Sequence, residues 1–592
     1  MPRAWLLVIV LTAGCTTATE PTPSAEAAGI VGGILHAGVV VSEDDPPELA
    51  QWLLDPQFSM PHPFARCCLV RTLLSYEGRA IEEGGAELRP DIAEAMPEVS
   101  ADGLTWTFRL RAGLRYAPPL EDREIVARDF ITALERTARV SDLGHSDVVE
   151  GMREYRDRTA GTISGAQAPD DRTLVIRLTE PRGDFGHLVA LPLFAPIPAE
   201  ALEVHDEQYG GFLVASGPYM VEGAESLDHS DPEATPIGDL DELALVRNPS
   251  WSRETDPLRP AYVDRIEIRS VPERGEAALD AIAQGELDVL MPHMLSRTRA
   301  EIVADPELRP RLRDAPLSTL FYVPLNLALP PFDDVAVRRA FNAVVDRNAL
   351  LATFDPVRGS AFVPAAHAFP DVAVGGLLRD YVPGGHPAGG GDAEAAREIM
   401  AESAYDADGD GRCDGEACMV VGNRFRPTTD TALGIIEANL AELGIQVEWV
   451  DEPSMFDPAG RIGLMAVLGW TAQYPSANDF VGLITDPQPG DNFNQSLIGA
   501  TPEQLEEWGY PVTEVPSLDD KIGTCRVRSG SAAFECWAEL DQLLSGQVAA
   551  WVPIASSVGS WLISDRVDRF EIAGSEAVPA LERVSLFPEV AP

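Results

Sequence analysis

The chain has 592 residues, 45% hydrophobic and 23% charged, a globular composition too long for one core and therefore divided into two or more domains. Lys and Arg number 45 against 94 Asp and Glu, a formal charge of −49, which repels phosphate backbones and excludes nucleic acid as a partner. Lys521 is the only Lys; the charge speaks to solubility rather than to a ligand.

In chain order, Arg3 precedes an apolar run, Trp5 to Leu11, too short for a membrane span and of the length of a signal-peptide core. Ala13 and Gly14 directly before Cys15 resemble a bacterial lipobox, in which the Cys is acylated and anchors the mature chain to the membrane. Thr12 stands where that motif usually has Leu, and an ordinary cleaved signal with an incidental Cys is the competing reading. Residues 16–34 are a polar, Pro-bearing tether.

Leu104, Trp106, Phe108 and Leu110 alternate with Thr105, Thr107, Arg109 and Arg111, a half-buried strand. Val126, Phe130 and Leu134 recur at i+4, an amphipathic helix. Val337, Phe341, Val344 and Val345 repeat the helical signal, as do Leu433, Ile436, Leu440 and Leu443 before a stop at Gly444. The alternating residues 445–450 read as a strand. The apolar run 462–470 reads as one further strand covered on both faces. Helix, strand, loop and strand make a piece of α/β sheet, and ligands of open α/β sheets sit beyond the carboxyl ends of strands. Trp470, Gln473 and Tyr474 follow such an end. They line a pocket, or Trp470 caps a core and Tyr474 is a surface aromatic.

Six Cys remain in an exported chain. Spacing favours two local bridges, Cys413 with Cys418 and Cys525 with Cys536. A bond between the neighbours Cys67 and Cys68 strains the backbone, so two buried free thiols are expected there.

Segments in this order resemble the family 5 solute-binding proteins of ABC importers, the peptide- and oligopeptide-binding receptors. Leu53 to Pro56 (LLDP) resembles the opening of their mature fold. LRPDIAEAMPEVSADGLTWTFRLRAGLRY followed by VARDFITALER resembles their signature run. ASGPYMV, LALVRNPSW, ALDAIAQGELDV, YVPLNLALPPFDDVAVRRAFNAVVDR and GWTAQYPSANDF resemble later family segments. Each match is weak alone; their number, order and spacing carry the resemblance over about residues 50 to 570. It implies an α/β periplasmic-binding-protein fold of type II. Two lobes close about a hinge on a solute and dock on an inner-membrane permease, without covalent chemistry or a required cofactor, as a monomer. Lobe I is expected at 35–310 plus 546–592, with an inserted subdomain at 62–190, and lobe II at 311–545.

In peptide-binding members an Asp in the loop after the Gly-Trp pair holds the peptide's α-ammonium. Gln473 stands there in this chain. A charge-assisted bond is about twice as strong as a neutral one, and a buried ammonium without a counter-charge costs several kcal/mol. Gln473 is thus a poor anchor for a free N-terminus, although Asp479 is near enough in sequence to substitute. Trp470, Tyr322 and Tyr474 with neutral Gln473 and Asn326 would suit a blocked peptide or an amide. They would equally suit an oligosaccharide; opines and chelated metals are other cargoes of the family.

Asp406, Asp408 and Asp410 occupy positions 1, 3 and 5 of a calcium-type loop. Gly411 is at the turn, the carbonyl of Arg412 at 7 and Asp414 at 9. Glu416 falls one residue before the position of the usual bidentate Glu. The loop is a structural Ca²⁺ site or a solvated acidic turn. A hydrolase reading lacks every motif sought: H-E-x-x-H, G-x-S-x-G, a P-loop and G-x-G-x-x-G are absent. A calcium-braced surface adhesin would repeat the Asp loop, which occurs once.

Overall fold

The computed structural model describes residues 29–588 apart from 42–48, 58–63, 141–146, 273–275, 292–298, 355–359, 386–388, 425–427, 452–457, 486–492 and 575–577. The signal segment and Cys15 lie outside the described residues.

The first lobe is built on a five-stranded sheet. Ile34–Val41 lies between Val289–Met291 and Arg265–Pro272, both parallel to it, and Ala244–Arg247 and Tyr219–Val221 complete the sheet. The expected strand forms at Thr105–Arg109, in a separate four-stranded sheet of the inserted region. Trp106 and Phe108 are turned inward there, and the helix Ala127–Val140 packs nearby through Phe130 and Leu134.

In the second lobe the helix Asp430–Glu442 leads into Gln446–Val450, which runs parallel to Met419–Asn423. The apolar run 462–470 is not one strand. Leu464–Met465 joins the parallel sheet beside Met419–Asn423, and Leu468–Thr471 joins a different sheet, antiparallel to Leu312–Pro324. Residues 463–468 are buried in unbroken succession, so the run reads continuously while the chain changes sheet within it; Gly469 and Thr471, on the edge strand, are exposed.

Two long antiparallel strands, Leu312–Pro324 and Trp551–Leu562, carry the chain between lobes. At one end Leu312 and Leu562 pack with Leu287 and Leu290 of the first lobe. There buried Asp288 accepts from the Ser564 hydroxyl (2.7 Å) and the His36 amide (2.9 Å), tying the ribbon to the sheet. At the other end Val323, Val552 and Ile554 enter a core of the second lobe. The register slips between Pro316 and Leu320; such a bulge bends and twists a ribbon locally, which suits a hinge.

Cys67 and Cys68 are joined to each other, against the expectation of free thiols. They sit in a buried single turn of π-helix, Ala65–Leu69. The sulfurs of Cys413 and Cys418 are bonded, as are those of Cys525 and Cys536.

Candidate functional site

The strand Leu468–Thr471 places the loop 472–480 against the first lobe. Its edge pairing to Leu312–Pro324 holds it beside the crossing ribbon, with the Thr319 and Thr471 hydroxyls 3.0 Å apart. Within the loop, Trp470 Nε1 donates to the Asp479 carbonyl (3.1 Å), and the Gln473 amide donates to Asp479 Oδ2 (2.8 Å). The loop is thus folded around Asp479. That carboxyl is buried, and burial pushes its pKa up to about 7, the charge of Asp184 adding to the effect against the Gln473 N–H.

Asp184, on the inserted region of the first lobe, is the centre of the contact between lobes. Arg182 forks onto it through Nε (2.9 Å) and Nη2 (2.7 Å). From the second lobe the Tyr474 hydroxyl donates to it at 2.9 Å and Asn478 Nδ2 at 2.6 Å. Burial alone would raise the Asp184 pKa, but Arg182 and the donors from Asn478 and Tyr474 outweigh it and hold the group below the usual carboxylate range. His187 lies between two rings, 5.9 Å from Tyr76 and 6.2 Å from Tyr474 by centroids, and its Nδ1 is 2.7 Å from the Tyr76 hydroxyl. Burial lowers its pKa to about 4, so it is neutral at pH 7.

Beside this network, Gly183 N donates to the Arg526 carbonyl (2.8 Å), and Arg526 Nη1 reaches both oxygens of Glu180 (3.1 Å). A Cβ on Gly183 would stand 1.9 Å from the Arg528 carbonyl oxygen; only Gly lets the two backbones meet. The Cys525–Cys536 bond links the helix Asp519–Arg526 to the helix Gly530–Gln542, bracing the edge that presents Arg526 and Arg528.

The five residues expected around the solute separate into three groups. Trp470 and Gln473 remain partly exposed; Trp470 packs against Phe493 at 5.0 Å, and the Gln473 side-chain amide makes no hydrogen bond among the described residues. Tyr474 is 1% exposed and is spent on the contact between lobes. Tyr322 and Asn326 are placed in the interior instead of on an open cleft wall. Tyr322 packs on Trp551 (4.7 Å), and Asn326 bonds the Ile462 carbonyl, the Tyr510 hydroxyl and the Ala328 amide. Sequence alternation reports which residues are apolar, not which face of a doubly covered strand meets the cleft. Asp184 and Gly183 carried no signal in the sequence, because a functional Asp or Gly in a chain rich in both looks like any other.

In the acidic loop, carboxylate oxygens of Asp406, Asp408 and Asp414 lie within 4.8 Å of one another. The amides of Gly409 and Gly411 fold onto the two oxygens of Asp406, both at 2.7 Å. Asp410 and Glu416 are outside that cluster; Glu416 opens a short 3₁₀ turn, and the Arg412 side chain reaches the Ala441 carbonyl. Three hard oxygens fit Ca²⁺ but supply only part of its usual six to eight ligands.

Residues 87–492 match the model for bacterial extracellular solute-binding proteins, family 5, middle region. The chain is 22% identical to heme-binding protein A of Haemophilus influenzae over 506 residues, covering 82% of each protein. It is 23% identical to the periplasmic oligopeptide-binding protein OppA of Escherichia coli, over 56% of this chain and 58% of that one. Among solved structures, it matches clavulanic acid biosynthesis oligopeptide binding protein 2 with TM-score 0.69 and 27% identity, over 94% of this chain and 96% of that one. The unliganded open form of the murein tripeptide-binding protein MppA matches with TM-score 0.69 at 16% identity, over 95% and 99%. A family match over more than half the chain, with two lobes joined by a ribbon and meeting at Asp184, settles the class: the chain belongs to the family 5 extracellular solute-binding proteins, non-enzymatic extracytoplasmic receptors of ABC importers.

Proposed function

We propose that the protein captures a peptide or peptide-like solute between its lobes, with Trp470 and Gln473 facing the solute, and delivers it to the permease of an importer. Lobe I would be 35–310 plus 546–592 with its inserted subdomain at 62–190, and lobe II 311–545, the exchange between them taking place along the crossing ribbon. The observation that carries the reading is Gln473: a half-buried residue whose side-chain amide makes no hydrogen bond among the described residues, on the loop that links the lobes. Relatives named for oligopeptide and glutathione binding support a peptide-like cargo.

A neutral amide at this position favours a solute without a free ammonium there: a blocked peptide, or a non-peptide such as an oligosaccharide. Asp479, the nearest acid on the loop, is buried and already accepts the Gln473 N–H. Calorimetry with one short peptide in unblocked and N-acetylated forms tests this. Wild type should bind both with similar affinity. Gln473→Asp should favour the unblocked form by about 1.5–3 kcal/mol, the worth of a hydrogen bond to a charged group. A strong wild-type preference for the free amine would overturn the reading.

Acylation of Cys15 would tether this receptor to the membrane as a monomer. A structural Ca²⁺ at Asp406, Asp408 and Asp414 would brace the second lobe; the cluster of three carboxylates and the Cys413–Cys418 bond across the loop support it.

A further inference from the structure

The helices Val335–Val344 and Arg347–Leu351 of the second lobe border a cavity of about 320 Å³. None of the residues that meet across the lobes lines it. Its wall is partly apolar, including Val382 and Ile399, and it carries two guanidinium groups, Arg339 and Arg347, with Asn342 between them in sequence.

Arg347 is 5% exposed, and every acceptor it reaches is neutral. Nε donates to the Pro553 carbonyl (2.6 Å), Nη1 to the Asn342 carbonyl (3.1 Å) and Nη2, at 3.4 Å, to Asn342 Oδ1. Arg339 is exposed and, among the described residues, donates only to the Gly546 carbonyl (2.9 Å). Neither forms an ion pair among the described residues, in a chain where acids outnumber bases two to one. Some buried guanidinium groups of the protein hold carboxylates: Arg71 and Arg259 hold Asp91, and Arg136 holds Asp55; Arg338, buried on the same helix as Arg339, donates like Arg347 to carbonyls, those of Val548 and Phe332. A charge taken out of water without a counter-charge costs several kcal/mol. Burial accordingly lowers the Arg347 pKa to about 10.

We propose that this cavity is a second binding site, for a small organic carboxylate. Its anionic end would sit on Arg339 and Arg347 and its hydrocarbon body on Val382 and Ile399. Guanidinium groups match carboxylate geometry, and the volume holds roughly ten water-sized atoms at about 30 Å³ each. Glu402, also on the wall and exposed, opposes an anion and sets the sign of one test.

Octanoate, with its neutral counterpart octanamide and inorganic phosphate, serves as probe in calorimetry on the full chain. Octanoate should bind one to one, and octanamide and phosphate each at least tenfold more weakly. Arg339→Gln should weaken octanoate at least tenfold while leaving the melting temperature unchanged, since Arg339 is exposed. Glu402→Gln should tighten it severalfold. Both variants lie outside the contact between lobes, so octanoate held in the main cleft would be indifferent to them. No octanoate binding, equal binding of octanamide, equal binding of phosphate, or indifference to Arg339→Gln would each overturn the proposal.

Discussion

Gly183→Ala is expected to prop the lobes apart while leaving each lobe folded. The added Cβ would lie 1.9 Å from the Arg528 carbonyl oxygen and 2.4 Å from its carbon, where ordinary contact begins near 3.4 Å. Both atoms are backbone, so no rotamer change relieves the clash, and the surfaces must part by about 1.5 Å. The 2.8 Å bond from Gly183 N to the Arg526 carbonyl then breaks, a loss of about 1 kcal/mol. Asp184 is the next residue. Its bonds from Tyr474 and Asn478, at 2.9 and 2.6 Å, are charge-assisted, each worth about 1.5–3 kcal/mol. Losing the neutral bond and weakening the other two disfavours the closed form by about 3 kcal/mol, roughly a hundredfold in its population. Small-angle scattering with a saturating tryptic peptide mixture reads this as a larger radius of gyration than wild type. Gly161→Ala, where a Cβ meets nothing within 4 Å, is the control and should compact like wild type. If Gly183→Ala closes as tightly as the control, the contact through Asp184 is not the closed interface and the reasoning fails.

Asp479 should make stability fall as pH rises from about 4 to 7. Below that window both folded and unfolded chains hold the proton; within it the unfolded carboxyl, near 3.9, has lost its proton while the buried one, with a pKa of about 7, keeps it. The difference is worth up to about 4 kcal/mol, so Asp479→Asn should gain melting temperature over wild type at pH 8 and not at pH 4; a gap independent of pH refutes this. Chelator should lower the wild-type melting temperature and leave Asp408→Ala unmoved; equal curves with and without chelator mean a plain acidic turn. Cys15→Ser should release the protein from membranes in a fractionation experiment, and unchanged retention rules the anchor out.

Alternation at Trp106 and Phe108 and the helical spacing of Phe130 and Leu134 fixed those elements locally, because a half-buried strand and an amphipathic helix write their periods into the chain. The order of weak segments from Leu53 onward made the family legible, and Gly469-Trp470 located the loop. Tertiary structure decided the rest. The run through Ala466 could not announce that it changes sheet, since unbroken burial erases the period. Tyr322 and Asn326 have pocket-like chemistry but are turned inward, a matter of which partner covers each face. Asp184 meets Tyr474 from 290 residues away, and Gly183 matters only because another backbone arrives beside it. Local periods come from the geometry of one element; closure between lobes comes from atoms that only the folded chain brings together.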